Sequence, residues 1–187
     1  MLVKSPSDWV LLPVRPDQEH RAKSIRSSRD ARYSNLYSES ATDARWVGDL
    51  GELVLLDWMT EQGVRHVQWL TDDVAGKADF MTASGITIGA KTVKRKQAPQ
   101  LDYTAQISAR HAAEPSHWFM FMNYSIQQRV LWLLGAIQST RFLKEATYYG
   151  PGDKVHADYA IRPGHEIYNI PLQRLIPPAE WLHWIRV

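Results

Sequence analysis

Residues 117–124 and 129–137 are two almost wholly apolar runs separated by a short polar turn. Runs of this length and composition read as central strands, so the chain is committed to a buried sheet. The most clearly written helix precedes them. Thr42 or Asp43 can cap a helix that runs to about Gln62, where Gly63 stops it. Its apolar residues, among them Trp46, Val47, Leu50, Leu53, Leu56 and Trp58, surround most of the helix, which is therefore expected to be largely buried. Gly48 and Gly51 each weaken it by roughly 1 kcal/mol relative to Ala, which close approach of another backbone would explain. Glu52 falls inside the apolar pattern. A carboxylate there must face a partner, a cation or a polar cavity, because an unpaired buried charge is very costly.

Strands are expected over 64–70, over 77–83 and, after the Ser84-Gly85 turn, over 86–93. In the last of these Ile86 and Ile88 point one way, and Thr87, Gly89 and Lys91 the other. The spacing then predicts a helix over 101–113 with Tyr103, Gln106, Ile107 and Arg110 along one stripe. Ser139 can cap a helix through Ala146, residues 150–165 read as a polar loop, and 166–170 as a strand. Pro177-Pro178 opens a short terminal helix carrying Trp181 and Trp184. Upstream, Trp9-Val10-Leu11-Leu12 reads as a strand or an arm, and 17–40 as a short helix followed by a loop. The fold class is α/β, a mixed central β-sheet flanked by helices. The expected domain is single, with a basic N-terminal arm at 1–40, a core at 43–140 and a helix-strand-helix extension at 141–187.

The 187 residues suffice for one domain with a real core. The absence of cysteine excludes disulfides and thiolate metal sites and suits a reducing, cytoplasmic setting. No apolar run reaches the roughly 18 residues needed to span a bilayer, so no membrane partner is expected. Pro6, Asp8, Pro13 and Arg15 interrupt any signal-peptide core. The net charge of +2 is small but unevenly spread. Residues 15–32 carry Arg15, His20, Arg21, Lys23, Arg26, Arg29 and Arg32 against three acids, and residues 91–96 carry Lys91, Lys94, Arg95 and Lys96 against none. Such clusters suit a phosphate-rich partner, and equally a solvated surface.

Asp79, in Lys77-Ala78-Asp79-Phe80, is followed by a tight hairpin and then by Lys91 at the end of Gly85-Ile86-Thr87-Ile88-Gly89-Ala90-Lys91. Hydrolysing a phosphodiester calls for a metal that polarises the phosphate and activates a water, and for a cationic or acid-base group near that water. Mg²⁺ takes oxygen ligands, typically one or two carboxylates plus waters. Asp79 and Glu52 are the natural ligands, and the backbone carbonyl of Ala90 offers a third oxygen. Lys91 would then orient the nucleophile or stabilise developing negative charge. The seven His show no metal spacing, and neither a Walker-type loop nor a nucleophile-elbow motif occurs.

These parts resemble the PD-(D/E)xK superfamily of restriction-endonuclease-like nucleases. The matching segments are Gly48-Asp49-Leu50-Gly51-Glu52, Lys77-Ala78-Asp79 and Ile88-Gly89-Ala90-Lys91-Thr92, and the resemblance covers roughly residues 43–140. It implies a restriction-endonuclease-like fold and a DNA endonuclease dependent on Mg²⁺ or Mn²⁺. It implies a metal held by Asp79, Glu52 and the Ala90 carbonyl, with Lys91 catalytic. DNA contacts would come from Lys94, Arg95, Lys96, Tyr103, Gln106 and Arg110, joined by Arg29 and Arg32 of the N-terminal cluster. A homodimer is compatible, since cutting both strands usually needs two sites.

The family's second strand acid falls at Gly89. Three explanations compete. The metal is held by Glu52, Asp79 and backbone or water oxygens alone; or Asp49, Asp72 or Asp73 has taken over; or the glycine, through natural decay or an engineered change, leaves a catalytically inactive DNA-binding protein. Plainer roles stand beside these. Asp79 can be a hairpin residue, Lys91 a strand lysine reaching solvent, and Glu52 one half of a structural ion pair with Lys91 or an Arg. The chain would then be an α/β protein unrelated to nucleic acid.

Overall fold

The computed structural model describes residues 1–33, 44–70, 78–156 and 159–186. The chain opens with β1 (Val10–Pro13) and α1 (Pro16–Tyr33). After α2 (Trp46–Glu61) come the short β2 (Gln68–Trp69) and β3 (Phe80–Met81) and the long β4 (Thr87–Arg95). β5 (Thr104–Ser108) and α3 (Ala109–Ala112) lead to the central pair β6 (Trp118–Ser125) and β7 (Val130–Gln138). The remainder is α4 (Ser139–Glu145), β8 (Thr147–Tyr149), β9 (Lys154–His156), β10 (Tyr159–Ala160), β11 (Ile167–Pro171) and α5 (Pro178–Ile185). Among the described residues no helix is long and apolar enough to cross a membrane.

The main sheet has the order β1-β7-β6-β4-β3-β2. β4 and β6 run parallel and the other neighbours antiparallel, so the sheet is mixed and the fold is α/β with flanking helices. β6 is buried at every position. Its Trp118, Met120, Met122 and Tyr124 pack with Leu50, Leu53 and Met59 of α2 and with Trp181, Leu182 and Ile185 of α5. Its Phe119 and Phe121 face the other way, onto Phe142 of α4 and onto Ala105, Ile107 and Ile170 of a second sheet ordered β5-β11-β8. An apolar layer on each side explains why this strand shows no polar alternation in sequence.

The segments expected as an arm and an extension fold into the body. β1 pairs with β7, α1 packs along α2, and Trp181 is fully buried. α1 runs to Tyr33, longer than the short helix expected there. The strands expected over 64–70 and 77–83 shrink to two residues each. Gly63 ends α2 as expected, with φ of 79°. The proposed caps Thr42 and Asp43 lie outside the described residues; Arg45 precedes α2 in a helical conformation and makes no side-chain cap.

The helix expected over 101–113 is not formed, so Tyr103 and Gln106 do not lie on a helix. The segment is strand β5 followed by the four-residue α3. Ala105 and Ile107 are buried while Thr104 and Gln106 are exposed, the alternation of a half-buried strand. Ladder pairing with β11, Ile107 opposite Tyr168 and Gln106 opposite Asn169, overrides the helical spacing. Ser108 then starts α3 by accepting the His111 N–H at 3.2 Å.

The two glycines of α2 differ. A Cβ on Gly51 would lie 1.8 Å from Thr92 Oγ1 and 2.9 Å from Thr92 Cβ, so the helix sits directly on β4 there. A Cβ on Gly48 would meet nothing within 4 Å. Gly51→Ala is therefore expected to destabilise the fold by about 1–3 kcal/mol through overpacking. Gly48→Ala is expected to stabilise it by up to about 1 kcal/mol through helix propensity. Urea unfolding midpoints of the two variants check the opposite signs.

Candidate active site

β3 and β4 form the hairpin that sets Asp79 and Lys91. Their pairing is Met81 with Thr87 and Phe80 with Ile88, and it goes no further. At the point of separation the Asp79 N–H donates to the Ile88 carbonyl at 2.9 Å, and the Asp79 carboxylate accepts the Ala90 N–H at 2.6 Å. The side chain thus supplies the acceptor that a continuing strand would have supplied. A strand residue directs its N–H and C=O to the same side, so the Ala90 carbonyl also opens toward Asp79. Asp79 is partly buried. Burial, then the charge of Glu52, push its carboxyl up to about 7, against the pull of Lys91 and the Ala90 N–H.

Lys91 stands opposite Phe121 in the parallel β4–β6 pairing, with its ammonium 5.9 Å from the centre of the Phe119 ring. Its side chain is only 12% exposed, and Nζ donates to Glu114 Oε2 at 2.8 Å. Burial works against its charge, but Asp79 and Glu114 outweigh burial and hold the ammonium above its ordinary value. Glu114 is the acid that sequence reasoning missed. The α3 turn carries it in, with its N–H on the His111 carbonyl at 3.2 Å and its carbonyl accepting the Ser116 N–H at 2.8 Å. His111 Nε2 lies 3.7 Å from Glu114 Oε1. Burial, with the Lys91 and Arg110 charges, pushes His111 down to about 4, so its imidazole is neutral near pH 7.

Glu52 has a different environment. Arg29 NH1 and NH2 donate to its two oxygens at 3.1 and 3.0 Å, and Trp69 Nε1 donates to Oε2 at 2.8 Å. One turn earlier on α2, the fully buried Asp49 accepts from Arg26 at 2.7 Å and Arg29 at 2.6 Å. Burial pushes the Asp49 carboxyl up, while Arg26 and Arg29 pull it down. Burial likewise opposes the Arg29 charge, but its Glu52 and Asp49 partners more than restore it. Glu52 and Asp49 are thus committed to an ion-pair lattice that fastens α1 to α2. Arg29, expected on a phosphate, sits inside that lattice. Asp72 and Asp73 lie outside the described residues.

Gly89 is not an open notch. A Cβ there would lie 3.0 Å from Phe119 Cδ1 and 3.1 Å from Ser116 Oγ. Of the expected DNA contacts, Lys94 and Lys96 are exposed at the end of β4, and the Arg95 guanidinium lies over the Tyr103 ring at 5.5 Å. Gln106 on β5 and Arg110 on α3 are exposed, as is Arg32 near the end of α1.

The raised Asp79 carboxyl gives a signed pH effect. The fold favours the neutral acid, so its contribution to stability is complete below the ordinary value of 3.8 and is lost as pH rises through about 7. Asp79→Asn, permanently neutral, is expected to gain stability relative to the unchanged chain across that window. Urea midpoints measured at successive pH values test this, and a difference that stays constant with pH would rule it out.

No protein-family model matches the chain, and no curated protein shows significant similarity to it.

Proposed function

We propose that the chain is a divalent-metal-dependent DNA endonuclease whose site is built on Asp79, Lys91 and Glu114. The observation that carries this reading is the Lys91 ammonium, 12% exposed, bound to Glu114 at 2.8 Å and held charged by Asp79 as well. A fixed cation in a nearly dry setting is suited to stabilising the negative charge that develops as a phosphodiester is attacked. Glu114 aims that cation, and the neutral His111 does not compete for the Glu114 charge.

The oxygens at this point of β4 fit a hard cation in kind. Mg²⁺ is usually held by one or two carboxylates together with waters and substrate phosphates rather than by a full protein cage. The Asp79 carboxylate and the Ala90 carbonyl would hold it, with Glu114 as a second acid, and the burial that raises Asp79 is the penalty a bound cation would relieve. Among the described residues no group of three or more Asp, Glu or His side chains is drawn together, so an ion would rest on this sparse set. When bound, the ion supplies Lewis-acid polarisation of the phosphate and an activated water.

A DNA-binding protein of the same fold without cleavage is the second reading. It is favoured by the closed environment of Gly89 and by the Arg29 clamp on Glu52. Plasmid and branched DNA incubated with Mg²⁺ or Mn²⁺ separate the two. Cleavage that stops with a chelator supports the first; salt-sensitive binding without cleavage supports the second. Gly89→Asp adds a further expected outcome. Pressed against Phe119 and Ser116, it should lower stability by about 1–3 kcal/mol and leave cleavage no faster. A rise of orders of magnitude in cleavage would mean that the glycine is the lesion.

A further inference from the structure

Arg95 is the last residue of β4 and lies on the strand face that carries Lys91. The ladder to β6 runs from Lys91 opposite Phe121 to Arg95 opposite Ser125 without a shift, so the alternation holds across the interval. Four residues of strand place the two side chains about 13 Å apart. Val93 stands between them on that face, and no acid interrupts the row. β3 pairs with β4 only at Thr87 and Ile88, so beyond Ala90 the outer edge of β4 has no neighbouring strand among the described residues. The Arg95 guanidinium is held by a ring rather than by an acid. Its carbon lies 5.5 Å from the centre of the Tyr103 ring. Tyr103 is itself fixed at both ends of its backbone, with its N–H on the Gln100 carbonyl at 3.1 Å and its carbonyl accepting the Leu172 N–H at 3.2 Å. Among the described residues no carboxylate pairs with Arg95, whereas Arg26, Arg29, Arg129 and Arg141 each have one. Nε is buried without an acceptor, while the terminal nitrogens are not buried and the residue as a whole is half-buried, so the fork of donors is turned outward. Lys94 and Lys96 flank it, both exposed, and residues 91–96 hold four cations and no acid. A stacked guanidinium with its fork outward suits a phosphate, to which arginine donates two parallel hydrogen bonds.

We propose that Arg95 binds a backbone phosphate of the DNA strand whose phosphodiester is attacked at Lys91, so that this strand runs along the outer edge of β4; the inference rests on the nuclease reading of the Lys91 site. Tyr103 is the positioning residue, because its ring aims the guanidinium. The two cations divide the work. Lys91, nearly dry and tied to Glu114, meets the phosphate that reacts, and Arg95, open and without an acid among the described residues, meets one that does not. The substrate is therefore a DNA strand that continues past the scissile bond over the length of β4. A single-nucleotide phosphodiester, unable to reach both residues, is a poor one.

The test measures fluorescence anisotropy of a short fluorescein-labelled DNA duplex over a range of salt concentrations, in chelator so that nothing is cut. Each phosphate contact contributes about 0.9 to the slope of log affinity against log salt. Arg95→Gln, which keeps the stem and removes the charge, is expected to weaken binding about 5- to 30-fold and to lower that slope by about 1. Tyr103→Phe, which keeps the ring, is expected to bind as the unchanged chain does. Arg95→Lys guards against a folding defect: a slope restored by it supports the contact, and a slope as low as that of Arg95→Gln overturns it. An unchanged slope in Arg95→Gln overturns the proposal. So does an equal loss from Arg21→Ala, which removes an exposed charge from α1, on the side of the sheet that α2 covers. Cleavage separates the contact from the site. Arg95→Gln is expected to raise the KM of a DNA substrate and leave kcat nearly unchanged. Lys91-dependent cutting with KM unaffected by Arg95→Gln leaves the nuclease reading standing and the Arg95 contact refuted. Arg95-dependent binding with no cutting under Mg²⁺ or Mn²⁺ supports the contact and removes the cleavage reading.

Discussion

Arg29→Ala is expected to destabilise the protein by about 3–5 kcal/mol, a large part of the roughly 5–15 kcal/mol that holds a domain folded. Arg29 donates to the fully buried Asp49 and to both oxygens of Glu52, whose side chain is 9% exposed. Among the described residues, removing the guanidinium leaves Glu52 with the Trp69 indole N–H and Asp49 with Arg26. Most of the loss is the penalty of stranded charge rather than the worth of the bond. The double replacement Arg29→Met with Glu52→Leu is accordingly expected to lose less than Arg29→Ala, because an apolar pair strands nothing at Glu52. Guanidinium unfolding of the three proteins checks the order, and a double variant less stable than the single would contradict this account of the clamp.

Lys91→Ala is expected to reduce DNA cleavage about 100- to 1,000-fold, the range seen when one preorganised donor is removed from a transition state. The loss should appear in kcat more than in KM, because the ammonium acts on charge that develops during the reaction. Glu114→Gln should give a smaller loss, since it keeps a hydrogen-bond acceptor against Lys91 but removes the charge that aims it. Single-turnover rates with enzyme in excess separate these effects from DNA binding. A Lys91→Ala protein that cuts at the unchanged rate would remove Lys91 from the mechanism.

The long strands were legible because local composition alone determines them. Residues 118–124 of the run 117–124 have no solvent-facing side, and the structure supplies α2 and α5 on one face and the second sheet on the other. The nearness of Asp79 and Lys91 was legible for a similar reason, since the tight hairpin between β3 and β4 puts them near each other without help from the rest of the chain. β5 was not. Tyr103, Gln106 and Arg110 have helical spacing, while Ala105 and Ile107 alternate, and pairing with the distant β11 decides between the two patterns. Glu114 left no mark in the sequence, because a turn after α3 brings it to a lysine 23 residues away. The buried carboxylate of Glu52 demanded a partner, and an Arg was among those expected; that it would be Arg29 depended on how α1 packs on α2. The closed surroundings of Gly89 were equally out of reach, since Phe119 arrives only through the parallel register of β4 and β6.

The most direct measurement is the conversion of supercoiled plasmid, and of a branched or single-stranded oligodeoxynucleotide, by the unchanged chain in Mg²⁺ or Mn²⁺, with chelator and Lys91→Ala as parallel reactions. The account predicts cutting that requires the metal and falls by about two to three orders of magnitude without Lys91. Absence of cutting on every substrate, or metal-dependent cutting that persists in Lys91→Ala, would contradict it.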